Sequence, residues 1–564
     1  MPIDENAVPP YPVRDLLAQP FAERLRLVCK TWAYQVYATP FPVYAGYWLK
    51  YLLFYAGGWA FFCSFTPGMG SPLAIGSWAF TAIAFQKAVL WSLCYESLGF
   101  GCSSGPMTGR IWPPFGGFLH FLRPGTTKLP FFPGLPVFGG IRRTWLDVAL
   151  YAATQVCLLR ALLAPEISPE MLLPLVILLP LLGITDKTLF LAARGEHYYV
   201  ALVCLAVASA GDLWLSACKV LWVAIWFWAA TSKLNHHFPS VIAVMLTNSP
   251  FVPIWLRKRL FRGYPDDLRP SRVAAGMAHM GTLTEYTFPF VLLLSDGGLV
   301  TAGALVVMLG FHSFIAGNMP SGMPVEWNIM MVFGGFFLFG HHPEVSVLAL
   351  GAMPLLVLFL FVCLVAVPLY GNLFPAQVSF LNAMRYYAGN WAYSVWLFRG
   401  DSARKLDTLV KAAGLMRDQF EKALPDEEAV DSAMMMMPAM RFLHLEGRVL
   451  HEAVPHAVDD IEQYDWMEGE ILAGIVLGWN FGDGHLHDLQ LLNAIQEQCG
   501  FEPGELRVVM VESQPLFGAS MAWTVADAAS GVLKRGETRI ADVRDFQPWP
   551  TGRHAEAFRS NPNA

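Results

Sequence analysis

Between residues 44 and 375 the sequence returns repeatedly to apolar runs of about 20 residues, the length that carries an α-helix across a bilayer. These runs lie near 44–66, 75–99, 144–163, 170–192, 197–210, 212–230, 274–295, 298–316, 325–341 and 345–370. Backbone amides in lipid find no water, so each run must satisfy its own hydrogen bonds as a helix. Composition agrees: 15% of residues are charged, against about 25% in soluble domains. The expected fold is a polytopic α-helical membrane protein of about ten spans. An even count puts both termini on one side. The connection 100–142 holds Arg110, Arg123, Lys128, Arg142 and Arg143 with no acid. A second basic stretch holds Arg257, Lys258, Arg259, Arg262, Arg269 and Arg272 against Asp266 and Asp267. Lys and Arg accumulate in cytoplasmic loops, so both connections and both termini are expected in the cytoplasm.

The flanks differ in composition. Residues 1–43 include PFAERLRLVCKTWAYQVY, whose charges and apolar residues alternate at helical spacing. An amphipathic helix on the inner membrane face is expected there. The N-terminus lacks a basic stretch followed by an apolar core, so no cleaved signal is expected. Within the body 44–375, the segment 100–142 is too rich in Gly and Pro for a helix and too apolar for a free loop. It is expected to fold back on the membrane body, its charges signalling topology. The Pro-bounded stretch 240–256 reads as re-entrant or interfacial. From 376 to 564 a cytoplasmic α+β domain is expected. It reads as helices over 400–470, a strand and turn at ILAGIVLGWNFGDG, a helix closed by Gly500, and strands beyond. A protein partner is one role open to this domain. The cluster His485, His487 and Asp488 has the residue types of a metal site, yet loop His and Asp at this density are usually solvated, and no metal is expected. The nine cysteines form no CxxC pair and read as buried thiols. A net charge of −6 argues against nucleic acid. No phosphate loop, nucleophile elbow or dinucleotide fingerprint is present.

Polar groups inside apolar runs carry the functional signal. Trp226 to Ala230 belongs in lipid, yet the run ends in Thr231, Ser232, Lys233, Asn235, His236 and His237. A Lys at mid-bilayer costs roughly 2.5–3.5 kcal/mol on insertion scales, so it snorkels, pairs or faces a cavity. Lys233 therefore reads either as an interface anchor or as a buried base. Three further clusters occur: Asp186 and Lys187 with His197; His279 with Glu285; and His312 with Asn318, Glu326 and Asn328. Asp186 and Lys187 either neutralise each other or pair with neighbouring helices. Groups that must avoid lipid converge on the bundle interior.

The order DKT…EHYYVAL, AATSKLNHHF and FHSFIAGNMPSGMPVEWNIMMVFG, spread over residues 180–342, resembles the transmembrane core of vitamin K-dependent gamma-glutamyl carboxylase. It also resembles the bacterial horizontally transferred transmembrane domain proteins. As a whole the chain looks like a bacterial transmembrane family of similar length. The resemblance implies that Lys233 is the base toward a quinol, that His197 lines a quinone chamber, and that Asp186 and Lys187 form the family's Asp-Lys pair. Three places depart. Ser232 stands where the carboxylase has a further Lys, His236, His237 and Phe238 replace its Asp and Trp, and its lumenal domain has no counterpart. A shared membrane core is implied rather than glutamate carboxylation.

The expectation is thus an integral enzyme of the bacterial cytoplasmic membrane acting on a lipid-soluble molecule such as a quinone. Lys233, His197, His312 and Glu285 are its expected catalytic residues. Asp186, Lys187, His236, His237, Asn318 and Glu326 are expected to bind substrate. The alternatives are a transporter or ligand-binding membrane protein, and a scaffold acting through 376–564.

Overall fold

The computed structural model describes residues 11–34, 41–101, 109–110, 117–209, 211–249, 251–318, 324–386 and 388–558, apart from the side chains of 41–44, 248 and 553. Parts of the Gly/Pro-rich segment, 102–108 and 111–116, therefore lie outside the described residues.

Helix α1 is Phe21–Tyr34. A helical passage at 41–63 holds a π turn at Tyr51–Ala56. Then come α2 (Ala82–Ser97), α3 (Trp145–Leu163), α4 (Pro169–Thr185) and α5 (Val200–Val207). The core continues with α6 (Leu213–Ser232), α7 (Phe238–Asn248), α8 (Arg272–Leu294), α9 (Gly298–Ala316), α10 (Val325–Gly335) and α11 (Pro354–Leu373). A small hairpin, β1 (Phe261–Gly263) and β2 (Asp267–Pro270), lies between α7 and α8. A helix occupies each of the ten expected intervals. Among the described residues, four helices are long and apolar enough to cross a membrane: α3, α6, α9 and α11.

Charge pairing inside this body explains how its polar residues are tolerated. The N-terminus of α3 carries a capping box between Thr144 and Asp147, which satisfies two of the helix's orphan amides. Asp147 also binds the ammonium of Lys128 at 2.7 Å, with both side chains buried. Asp186 ends α4 and receives the guanidinium of Arg143 at 2.5 Å, again fully buried. Two of the cations expected to signal topology are thus neutralised inside the protein. Lys187 does not pair with Asp186; its ammonium donates to the carbonyl of His485 at 2.8 Å.

The C-terminal part contains α12 (Glu427–Leu443), α13 (Leu445–Ala453), α14 (Gly469–Leu477) and α15 (Leu489–Cys499). Its five-stranded antiparallel sheet uses β3 (Tyr393–Arg399), β4 (Tyr464–Glu468), β5 (Leu506–Val511), β6 (Ser520–Asp527) and β7 (Gly531–Arg539), in the order β4-β3-β5-β6-β7. Gly500 closes α15 with φ 61°, the left-handed cap that glycine adopts without strain.

Three expectations are corrected. The run ILAGIVL is helix α14 rather than a strand. It is buried on every side, and an apolar run without an exposed face has no period to distinguish the two. The amphipathic α1 packs its apolar residues Leu25, Val28 and Trp32 against protein, beside α12, not on lipid. Phe21 stacks on Trp466 and Phe558 with centroids 5.7 and 5.4 Å apart, and Lys30 reaches Asp266 at 2.5 Å. The same amphipathic pattern serves a protein groove or a bilayer surface. Third, His487 is buried rather than solvated, its Nδ1 2.7 Å from Ser394 Oγ.

Candidate functional site

Helix α6 ends where Lys233 takes the C-cap position, and Pro239 in the first turn of α7 permits the chain to restart. The Lys233 side chain turns inward. Its ammonium forms an ion pair with Glu285 of α8, the two side chains 7% and 5% exposed. The rings of Phe238 and Phe311 lie 5.4 and 5.7 Å from it, positions that favour a desolvated cation. Glu285 and His279 share a helix but not a face, and His279 is exposed.

His312 of α9 is held from both sides. Trp226 Nε1 donates to His312 Nε2 at 2.9 Å. That bond makes Nε2 the acceptor, so the proton sits on Nδ1 and is donated to Asn328 Oδ1 at 2.8 Å. Asn328 in turn donates to the carbonyl of Pro324 at 2.8 Å. The imidazole is therefore pinned as one neutral tautomer, and its geometry orients Asn328 rather than leaving a nitrogen free for proton transfer.

Lys233, Glu285, His312 and Asn328 face one cavity of about 290 Å³. Apolar side chains, among them Ile242, Met277 and Phe311, form most of its wall. The wall is completed by Phe380, Tyr386 and Phe481 from beyond residue 376. The C-terminal part is therefore a structural component of the chamber.

Arg194 also lines the cavity, and the sequence reading did not select it. Its guanidinium lies 5.7 Å from the rings of both Trp327 and Tyr386, and its Nε donates to Glu196 at 2.9 Å. Tyr386 donates to the same carboxylate at 3.2 Å. Arg194 has φ 54°, a left-handed conformation that costs a non-glycine residue roughly 1–3 kcal/mol. A π turn, Gly195–Tyr199, follows at once, and such turns concentrate at functional sites. The signal available in the sequence was an Arg beside Gly195 in an otherwise apolar run.

His197 stands one ring behind the cavity. Trp327 Nε1 donates to its Nδ1 at 3.1 Å, and its ring stacks on Tyr198 at 4.3 Å. The remaining candidates lie elsewhere. Asp186 and Lys187 hold structure, as described. His236 is exposed, and His237 bonds Gln514 at 3.0 Å. Asn318 donates to Phe314 at the end of α9 at 2.7 Å. Glu326 is buried near Glu96, where a Cβ on Gly101 would collide with both carboxylates.

His485 bonds Glu512 at 3.0 Å, away from His487. No group of metal-binding side chains occurs among the described residues. No curated protein and no solved structure matches the chain. A family model matches over residues 1–557, and the chain belongs to that family, the transmembrane proteins of unknown function DUF3556.

Proposed function

We propose that this protein is a membrane enzyme that binds a lipid-soluble, quinone-like molecule in the chamber and moves a proton at its head through Lys233 and Glu285. The observation that carries this reading is the direction of Lys233: its amine faces a cavity and a carboxylate, with two aromatic rings beside it. In the proposed step the Lys233 ammonium passes its proton to Glu285. As ammonium and carboxylate the two are an ion pair; after transfer they are an amine and an acid, with no change in net charge. The neutral amine is then a base for the phenolic O–H of a head bound in its reduced, quinol form: the proton goes to the amine and a phenolate is left beside the ammonium. The polar groups also select the head. Among the described residues, the two cations that line the chamber already have carboxylate partners, Lys233 in Glu285 and Arg194 in Glu196. The chamber suits a neutral ring bearing oxygen. In this reading His312 and Arg194 position the wall, and all ten helical passages cross a bacterial cytoplasmic membrane with both termini inside.

The test is mass spectrometry of lipids extracted from purified protein. A ring-headed lipid should accompany the wild type and be depleted at least tenfold in Lys233→Gln. Wild-type protein free of any such molecule, and unable to take up an added quinone, would sink the proposal. A transport reading draws on one feature, the break between α4 and the next helical turn at Asp186, since broken helices mark transporter sites. Quinone-independent solute flux in liposomes would favour it.

A further inference from the structure

The chamber wall is thin in one direction. Between α8 and α9 its lining residues are Met277, Gly281 and Thr284 on one helix and Val307, Gly310 and Phe314 on the other. These residues also face outward. Val307 and Phe314 are 47% and 43% exposed, Gly310 is exposed, and the three on α8 are half-buried. Their outer neighbours Met280, Leu283, Val306 and Leu309 are exposed apolar side chains, and α9 is one of the four span-length helices. The outer side of this wall is therefore an exposed apolar face of a kind that suits lipid.

Glycines between membrane helices usually let two backbones approach closely. Here they do not. A Cβ at Gly310 would meet no atom within 4 Å, and one at Gly281 would meet only Phe238 Cε1 at 3.8 Å. Neither glycine has the positive φ that excludes other residues. Glycine weakens a helix interior, and neither close packing nor backbone conformation accounts for it at these positions. At both glycines the space that a side chain would fill is left open, a gap in this part of the chamber lining.

We infer that the gap is a lateral window, and that the bound molecule is a long-chain lipid with a neutral ring head inside the chamber and its tail passing between α8 and α9. This rests on the chamber being the ligand site, as proposed above. The volume argues for the division. About 290 Å³ lies at the lower edge of the roughly 300–1,000 Å³ of small-molecule pockets. It holds a ring system and leaves a long chain outside. The outer end of the window opens on hydrocarbon, where a prenyl or alkyl tail gives up nothing by remaining. Gly281 and Gly310 would then set specificity for the tail, while Lys233 and Glu285 meet the head.

The experiment uses the full chain in detergent micelles and two probes with the same head: 2-methyl-1,4-naphthoquinone without a tail, and its tetraprenyl homologue. Quenching of tryptophan fluorescence reports binding, since Trp327 lines the chamber and Trp226 is hydrogen-bonded to His312 of its wall. Wild-type protein should bind the tailed probe at least tenfold more tightly. Val306→Phe, and independently Met280→Phe, add bulk on the exposed side of the wall outside the chamber lining, and should remove that preference while leaving the tailless probe within about twofold. The two positions lie on different helices, so a folding defect in one variant does not block the test. If both variants bind the tailed probe as the wild type does, the window is wrong and the chamber stands. If the wild type binds neither probe, the chamber reading itself falls, and the window with it.

Discussion

At the scale of single residues, the Lys233–Glu285 pair dominates. Two buried charges gain their stability from each other, and removing one leaves the other stranded in apolar surroundings. Lys233→Met alone should therefore cost roughly 3–5 kcal/mol. The double variant Lys233→Met, Glu285→Leu should recover most of that loss while still abolishing proton transfer. Unfolding in micelles by titrated denaturant, run on all four members of the cycle, gives the coupling directly. A double variant as unstable as the single one would show that the pair is not the local source of stability. His312 illustrates how geometry alters a residue's meaning. From the sequence it was a candidate catalytic residue, to orient the substrate or relay a proton. With Trp226 on one nitrogen and Asn328 on the other, it is a positioning group.

At the scale of elements, helix contacts decide what each apolar run is for. Gly334 of α10 lies against the indole of Trp222 on α6, where a Cβ would collide with the ring. Gly335 stands in the same relation to Met308 of α9. Small residues of this kind let membrane helices approach and gain dispersion contacts. Gly334→Ala should lower the melting midpoint by several degrees, an effect of about 1–3 kcal/mol from overpacking, whereas Gly310→Ala should leave it within error. Thr144→Val should cost about 1 kcal/mol through loss of the α3 cap. Element existence was legible from the sequence because a helix in lipid has one dominant requirement, length of apolar chain. The strands were less so. β3 is buried along almost its whole length and shows no alternation, and the expected strand at 471–477 proved to be part of α14 for the same lack of pattern.

At the scale of the whole molecule, the C-terminal part and the membrane body share one interior. Ending the chain at residue 375 would remove Phe380, Tyr386 and Phe481 from the chamber. It should abolish quenching by either quinone probe even where the truncated protein still inserts. The histidines of the C-terminal part should also make a contribution to stability that is lost in acid. Burial holds His444, His451 and His487 each down to about 3. Their ordinary value is 6.5, so the unfolded chain binds more protons between pH 6.5 and 3, and stability is lost as pH falls through that window. Each contributes up to about 1.4 kcal/mol per pH unit. Glu468 works the other way: burial, opposed by Arg441, raises it to about 7, so its contribution is lost as pH rises from 4.5 to 7. Glu446 and Asp465, raised by burial, act in the same sense as Glu468, so the histidine part is read as the difference between wild-type and variant melting midpoints from pH 6.5 to pH 4.5. Relative to the wild type, the His487→Asn midpoint should rise as pH falls across that range.

The residue order alone determined that this chain belongs in a membrane, roughly where the long apolar helices lie, and that Lys233, Glu285 and His312 are misplaced in lipid. Those conclusions need only solvation: charges and amides have one price in hydrocarbon wherever the helix sits. Only the tertiary structure decided which misplaced groups meet. Asp186 went to Arg143 and Lys187 to His485, while Lys233 found Glu285 across 52 positions of chain. Partner choice depends on how helices are ordered and rotated, and that is a property of packing between distant segments which no local pattern encodes.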